Sequence, residues 1–325
     1  VAERTGDADL AFLAARAAPL LGASTATQAA VIARMAPFVQ SPPELRAPVP
    51  EPAWRQLLLH PGARGPLGEV LAMVFECAGE EYGARLGDFK LHPKKHAVDL
   101  AAATHPALRH LAAVARAMGS PSLNVFSTFL AVQSSGLRTP HPEDSTSLRV
   151  IPTVPFSLVV GEKFLTGMDR AAQSAAIGHA LAQMRPELAP AVALGPERLA
   201  LLLEATLSLS DEGYASRVDP KVLKAERKRL EKAMSSSARA TLVDAVRMYR
   251  QTSRPDDLDR YLEAVRLTPL RAALLAAGDF TPVLGHLPPE GPDRHAAVRV
   301  LTAFALGGDL SALRQQTQSQ LVVRR

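Results

Sequence analysis

Apolar residues recur every three or four positions through most of this chain, which is the spacing of one helix face. The run Leu67, Val70, Leu71 and Val74 is a clear case, and it predicts a helix over residues 66–86. The same pattern predicts further helices at 8–17, 26–39, 54–59, 106–118, 169–185, 187–194, 197–208, 220–234, 238–251, 256–265, 269–276, 294–305 and 309–318. The chain is therefore predicted to be mainly helical.

Three short segments interrupt this helical pattern and favour β-strands. Residues 124–133 are rich in β-branched and aromatic side chains, and residues 148–151 and the apolar segment 156–160 are two further predicted strands. All three segments come shortly before the helix predicted at 169–185. We expect a mainly helical α+β fold in which a small sheet packs against that helix.

A proline-rich stretch at residues 41–52 divides the chain near its amino-terminal end. Such a composition favours extended backbone, so we predict a linker there. A helical arm would then occupy residues 1–40, and the main domain residues 53–325. A helical hairpin is also one unit of a helical repeat, so one interpretation of the arm is a remnant of a repeat array. The chain starts at Val1 without an initiator methionine, and we expect it to be a fragment of a longer protein.

The composition narrows the classes of function. Apolar residues make up 47% and charged residues 21%, as in ordinary globular proteins, and 37 basic against 32 acidic residues give a formal charge of +5. This small excess allows nucleic-acid binding but does not argue for it, and we do not expect nucleic acid as the main partner. The charged run at 221–232 is predicted to be a solvated helix with i,i+4 ion pairs. No membrane span or signal peptide is visible, and the single Cys77 excludes an internal disulfide framework. We expect a cytoplasmic protein.

The helix predicted at 169–185 carries a candidate chemical site. The five residues that start at His179, HALAQ, have the frame of the zinc-peptidase pattern H-E-x-x-H. In that pattern the two histidines hold the metal from one helix face, and the glutamate polarises the attacking water. Here Ala180 stands at the glutamate position and Gln183 at the second histidine position.

Three passages, in order, resemble the HtpX-like and CAAX-prenyl-protease-like zinc peptidases of the gluzincin type. Residues 155–165 resemble the strand before the active-site helix, residues 178–187 resemble that helix, and residues 266–279 resemble the downstream helix that supplies the third ligand. The resemblance covers residues 86–284, and similar domains occur in large tetratricopeptide proteins of bacteria. It implies a zincin-like arrangement of the active-site helix and a small sheet.

The resemblance also indicates which residues stand at the remaining metal-ligand positions. In its register Arg266 stands at the glutamate ligand, and Leu270 stands at the aspartate of the E-x-x-x-D pattern. A zinc site needs at least three protein ligands, and only His179 is retained. Gln183 offers a weak oxygen, Arg266 cannot bind a metal, and Ala180 cannot act as a general base. We therefore expect no metal, no cofactor and no peptidase activity.

The sequence thus predicts a pseudo-peptidase that acts as a scaffold and binds another protein, with an extended segment added at the sheet edge. Two alternatives stay open. One is a residual metal-dependent hydrolase with unrecognised ligands, and the other is weak nucleic-acid binding through the basic helix at 221–232.

Two structural expectations follow from the altered site. Ala176, His179, Ala180 and Gln183 share one stripe of the helix, and we expect a neighbouring element to close over that stripe because two of the four are small. We also expect the Arg266 guanidinium to replace the metal as a clamp between two helices, with the Gln183 oxygen as an acceptor. Its charge would disfavour protonation of His179.

Overall fold

Helices make up most of the part of the chain that the structure describes. The computed structural model describes residues 8–23, 25–40, 42–120, 122–130, 147–211 and 214–321. Helices hold 67% of these residues and strands 4%, so the predicted mainly helical α+β class is confirmed. The longer helices are α1 (Ala8–Leu20), α2 (Ala26–Met35), α3 (Pro66–Tyr82), α4 (Pro106–Ala117), α5 (Arg170–Gln183), α6 (Ala189–Ser210), α7 (Pro220–Ala233), α8 (Ser236–Thr252), α9 (Asp257–Ala277), α10 (Pro292–Leu306) and α11 (Gly308–Gln316).

One small mixed sheet consists of β1 (Asn124–Phe126), β2 (Leu148–Ile151) and β3 (Ser157–Val160). Strand β3 lies in the middle, parallel to β1 and antiparallel to β2. All four residues of β3 are buried, as expected for the continuous apolar run that predicted it. Strand β2 contacts helix α5, so the sheet packs against the helix that carries His179.

The first strand is shorter than predicted. The sequence favoured a strand over residues 124–133, but β1 ends at Phe126, and residues 131–133 lie outside the described residues. After Phe126 the Ser127 side chain accepts a hydrogen bond from the backbone N–H of Leu130 at 3.3 Å. A serine that bonds the backbone three residues later favours a turn over a sheet ladder, and local side-chain chemistry here outweighs β-propensity.

Two predicted helix breaks have different outcomes. The break between 187–194 and 197–208 is confirmed as a kink inside α6, where Gly195 has a φ of 72°. The break before Pro269 is wrong, because α9 runs through Pro269 as one helix of 21 residues. The residues from Leu267 to Ala277 are all buried, so tertiary packing outweighs the backbone hydrogen bond that a proline loses.

Helix α1 packs on the main body of the protein. Phe12 is buried in the same core as α9 and α10, and Arg16 donates two hydrogen bonds to the carboxylate of Asp279 at 3.0 and 2.9 Å. The proline-rich segment is also bonded to the body, since the Val49 N–H donates to the carbonyl of Ala117 at 2.8 Å. The division into arm, linker and main domain stays a prediction about separate folding units.

Among the described residues, no single helix is long and apolar enough to cross a membrane. The pair α10 and α11, which is bent by 54° at its junction, meets the criterion of length and composition only when both helices are taken together. In the structure, Leu301 and Leu313 of this pair are buried in the main core.

Candidate functional site

A pocket of about 440 Å³ lies between helices α5, α6, α9 and α10 and the turn at residues 284–288. Nine of its fifteen lining residues are apolar. The six polar or charged lining residues are His179, Gln183, Glu263, Arg266, His286 and Asp293. A concave, mostly apolar pocket of this volume with a few polar groups is typical of a ligand-binding site.

Four of the five predicted site residues line this one pocket. His179 and Gln183 come from α5, and Arg266 and Leu270 come from α9. Ala180, which stands at the general-base position, is instead 3% exposed in the main core. The residues that the sequence register assigned to the metal ligands are therefore brought together, although they cannot form the metal site of a peptidase.

Two features of helix α5 position its pocket residues. One is the capped first turn of the helix, and the other is its close packing against α9. The helix begins after Asp169, whose carboxylate accepts the N–H of Ala172 at 2.7 Å and so satisfies a free donor of the first turn. His179 and Gln183 lie four residues apart and therefore share one face. Next to His179, the absence of a side chain at Gly178 lets α9 approach closely, because an added Cβ would lie 2.5 Å from the Ala272 carbonyl oxygen.

His179 and His286 form a stacked pair in the pocket. Their ring centroids are 4.6 Å apart, and the ring planes differ by 19°. The lone pairs of an imidazole lie in its ring plane, so two stacked and nearly parallel rings direct their lone pairs within two separate planes. The pair therefore does not converge on one metal ion, which would have to lie about 2.0–2.1 Å from a nitrogen of each ring.

Both imidazoles are held in the neutral form near pH 7. Burial lowers the pKa of His179 to about 3, with a smaller contribution from His286. Burial also lowers the pKa of His286. The prediction that the charge of Arg266 disfavours protonation of His179 named the wrong cause, since burial and the second histidine lower this pKa.

The described residues give no sign of a metal centre at this site. Within them, no three histidine, cysteine, aspartate or glutamate side chains are placed so that they hold a metal ion. Gln183 faces the pocket, and no described residue donates a hydrogen bond to its side chain or accepts one from it. The pocket thus offers a neutral amide and two neutral imidazoles as hydrogen-bonding groups.

Arg266 does not form the predicted clamp between helices α5 and α9. Its guanidinium lies 3.6 Å from the Asp293 carboxylate, and the two side chains are 60% and 74% exposed. An ion pair in such contact with water contributes little to stability. The side chain of Arg266 extends toward solvent at the edge of the pocket. It therefore pairs with Asp293 and does not form the predicted hydrogen bond to Gln183.

The helix stripe is only half covered. Ala176 and Ala180 are each 3% exposed in the main core, while His179 and Gln183 line the open pocket. The prediction that a neighbouring element closes over the whole stripe is therefore wrong for Gln183, whereas the stacked ring of His286 covers part of His179. The two small residues of the stripe are both buried in the main core.

Sequence reasoning missed three polar residues of the pocket: Glu263, His286 and Asp293. Glu263 precedes Arg266 by one helical turn, which was a usable signal once Arg266 had been assigned to the site. His286 lies two residues past the end of the zinc-peptidase resemblance, in a turn without a pattern of its own. Asp293 belongs to helix α10, and no sequence pattern placed that helix near α5.

Comparisons of this chain with protein-family models, with curated proteins and with solved structures found no match. The resemblance to zinc peptidases therefore rests on the three passages of sequence, and it stays a prediction.

Proposed function

We propose that this protein is a non-catalytic pseudo-metallopeptidase that binds a segment of another protein in the pocket at the former metal position. One observation carries the proposal: His179, Gln183, Arg266 and Leu270 line a single pocket, and no three metal-ligand residues meet there among the described residues. The packing of helices forms the pocket. Peptidase catalysis needs, in addition, metal-ligand side chains and a general base. The pocket therefore persists after the catalytic residues are lost.

The chemistry of the pocket indicates what kind of segment it binds. Its lining is mostly apolar, and the charged Arg266 and Asp293 are exposed at its rim. Such a site suits an apolar side chain as an anchor, flanked by polar residues that stay in water. The Gln183 amide both donates and accepts, so it pairs with a backbone peptide group of the bound segment.

The pocket also favours one mode of binding over another. None of its lining residues belongs to β1, β2 or β3. A segment held in the pocket therefore contacts helices and does not extend the sheet. We propose insertion of an apolar anchor between helices in place of the strand addition that the resemblance to peptidases implied.

Metal analysis tests the non-catalytic part of the proposal. Purified protein should contain far less than one zinc per chain, and a chelator should leave its melting temperature unchanged. Stoichiometric zinc, together with a chelator-sensitive melting temperature, would overturn the proposal and favour the residual hydrolase.

A peptide library displayed on phage tests the binding part. Peptides selected on the wild-type protein should lose affinity when Ala296→Trp fills the pocket, because Ala296 is an exposed residue of its lining. The matched control is Ala240→Trp, an exposed position on α8, which contributes no residue to the pocket. If selected peptides bind both variants equally, the pocket is not the binding site.

We also propose the cytoplasm as the location of the protein. Fractionation of the source cells tests this, and recovery of the chain in an extracytoplasmic fraction would contradict it.

A further inference from the structure

Helix α7 concentrates the lysines of the chain on one exposed stripe. The chain has eight lysines, and four of them are Lys221, Lys224, Lys228 and Lys232 of this helix, which we call the lysine stripe. Spacings of three, four and four residues keep the four side chains within an arc of roughly 80° around the helix axis. All four are exposed. At the rise of an α-helix, the stripe is about 16 Å long.

The acidic residues of α7 are engaged elsewhere and do not neutralise the stripe. Glu226 accepts a hydrogen bond from the Tyr82 hydroxyl at 2.7 Å, and Glu231 pairs with Arg227 at 3.1 Å. Asp219 caps the start of the helix through backbone N–H groups. No described residue forms an ion pair with any of the four lysines. Within the described residues, the predicted i,i+4 ion pairs of this helix reduce to Arg227–Glu231.

The apolar side of α7 is already occupied. Leu230 is fully buried and Met234 is 7% exposed, and both belong to a core shared with α3 and α8. A helix that lies on an anionic membrane needs such a face free to enter the lipid. A protein interface has an apolar or aromatic centre, whereas the one large apolar side chain exposed on α7 is Val222. A partner that is charged throughout fits the stripe better than either of these.

We propose that the lysine stripe binds the phosphate backbone of a nucleic-acid duplex without reading its sequence. Lysines at i and i+4 place a charge about every 6 Å along the helix, and an ammonium group contacts phosphate as a point charge. Contacts of this kind position a protein on a duplex but carry no sequence information. The proposal is independent of the pocket, because α7 contributes none of the pocket-lining residues.

The proposal predicts how strongly the binding constant depends on salt concentration. Each neutralised phosphate contributes about −0.9 to the slope of log K against log salt concentration, so four lysines predict a slope of about −3.6. Raising the salt concentration from about 50 to about 200 mM then weakens binding by about 150-fold. The formal charge of +5 for the whole chain does not show the local positive charge of the lysine stripe, because it sums the stripe with the rest of the protein.

Fluorescence anisotropy with a labelled duplex of about 20 base pairs, measured across this salt range, tests the proposal. The wild-type protein should show the slope of about −3.6, and a variant with all four stripe lysines changed to glutamine should lose most of the slope and the affinity. Lysine and glutamine have similar helix propensities, so the variant should keep its fold, which circular dichroism checks.

The other four lysines of the chain provide a matched control: Lys90, Lys94, Lys95 and Lys163 are all exposed and lie outside α7. Their change to glutamine removes the same net charge and should leave the slope within about one unit of the wild-type value. Equal losses in both variants would show that only the net charge matters. Absence of duplex binding at low salt, or stripe-dependent binding to phosphatidylserine vesicles without duplex binding, would also overturn the proposal.

Discussion

Gly178 lies at a close contact between helices α5 and α9, and replacing it with alanine tests the packing that forms the pocket. An added Cβ would lie 2.5 Å from the carbonyl oxygen of Ala272 and 3.0 Å from the Cβ of Ala276. Ordinary contacts of a Cβ begin at 3.4 Å. The atom in the way is backbone, which cannot rotate aside, so α9 has to move away from α5 by about 1 Å.

Two opposing effects determine how Gly178→Ala changes the free energy of unfolding. Overpacking of a filled core destabilises a protein by about 1–3 kcal/mol. Alanine in place of glycine inside a helix returns at most about 1 kcal/mol. We therefore expect Gly178→Ala to lower the free energy of unfolding by about 1–2 kcal/mol. Peptides selected on the wild-type pocket should bind this variant more weakly, because its walls come from the two helices that separate.

Urea unfolding followed by circular dichroism measures the stability change, with Gly308→Ala as the control. Gly308 begins α11, and an added Cβ there would meet no heavy atom within 4 Å. This control should be neutral or up to about 1 kcal/mol more stable, since only the helix propensity changes. A Gly178→Ala variant as stable as the wild type, or more stable, would refute the close packing of α5 and α9.

Two further predictions concern buried basic groups. Because the folded-state pKa of His179, at about 3, lies below the ordinary value, the unfolded chain binds the extra proton, and stability should fall as pH drops from about 6.5 towards 3. His179→Gln should therefore lose less stability than the wild type between about pH 7 and pH 4.5, measured by urea midpoints. Arg271→Met should destabilise the protein by about 2 kcal/mol in the same assay, because Arg271 donates to the carbonyl oxygens of Leu57, Leu58 and Leu59.

Each of these two predictions has its own control. His60, His110 and His286 also have lowered pKa values, of about 4 for the first two, but all three are present in both proteins, so the difference between wild type and variant reports on His179. Identical pH dependences would contradict the burial of that imidazole. For Arg271, which is 7% exposed, the matched variant is Arg266→Met, whose 60% exposed side chain should change stability by no more than about 0.5 kcal/mol. Equal effects of the two changes would count against a structural role for Arg271.

Much of the fold was predictable because local patterns decide it. The apolar spacing in α3 reflects burial of one helix face, and the apolar run in β3 reflects burial of both strand faces; both elements were found where the sequence placed them. The break predicted before Pro269 failed because a single residue was weighed without its surroundings. Burial along the second half of α9 is a tertiary property, and it decided the outcome.

The candidate site was predictable only where its residues share a helix. Helical spacing shows that His179 and Gln183 lie on one face, but it does not show which residues oppose that face. His286 and Asp293 reach the pocket from elements that follow α9, and their position depends on the path of the chain after Ala277. No local pattern encodes that path. The stacking of His286 on His179 was therefore missed.

The structure also shows which contacts hold helices α5 and α9 together. The predicted resemblance to zinc peptidases implies a metal that connects the two helices. Here the contact is made by small side chains, since Gly178 meets the backbone of Ala272, and Ala272 and Ala276 are almost completely buried. Arg266 was the expected replacement for the metal, but it lies at the rim, while Arg271 on the same helix is the buried arginine that bonds to the neighbouring turn. Close packing at Gly178 and the hydrogen bonds of Arg271 therefore hold α9 in place without a contribution from Arg266.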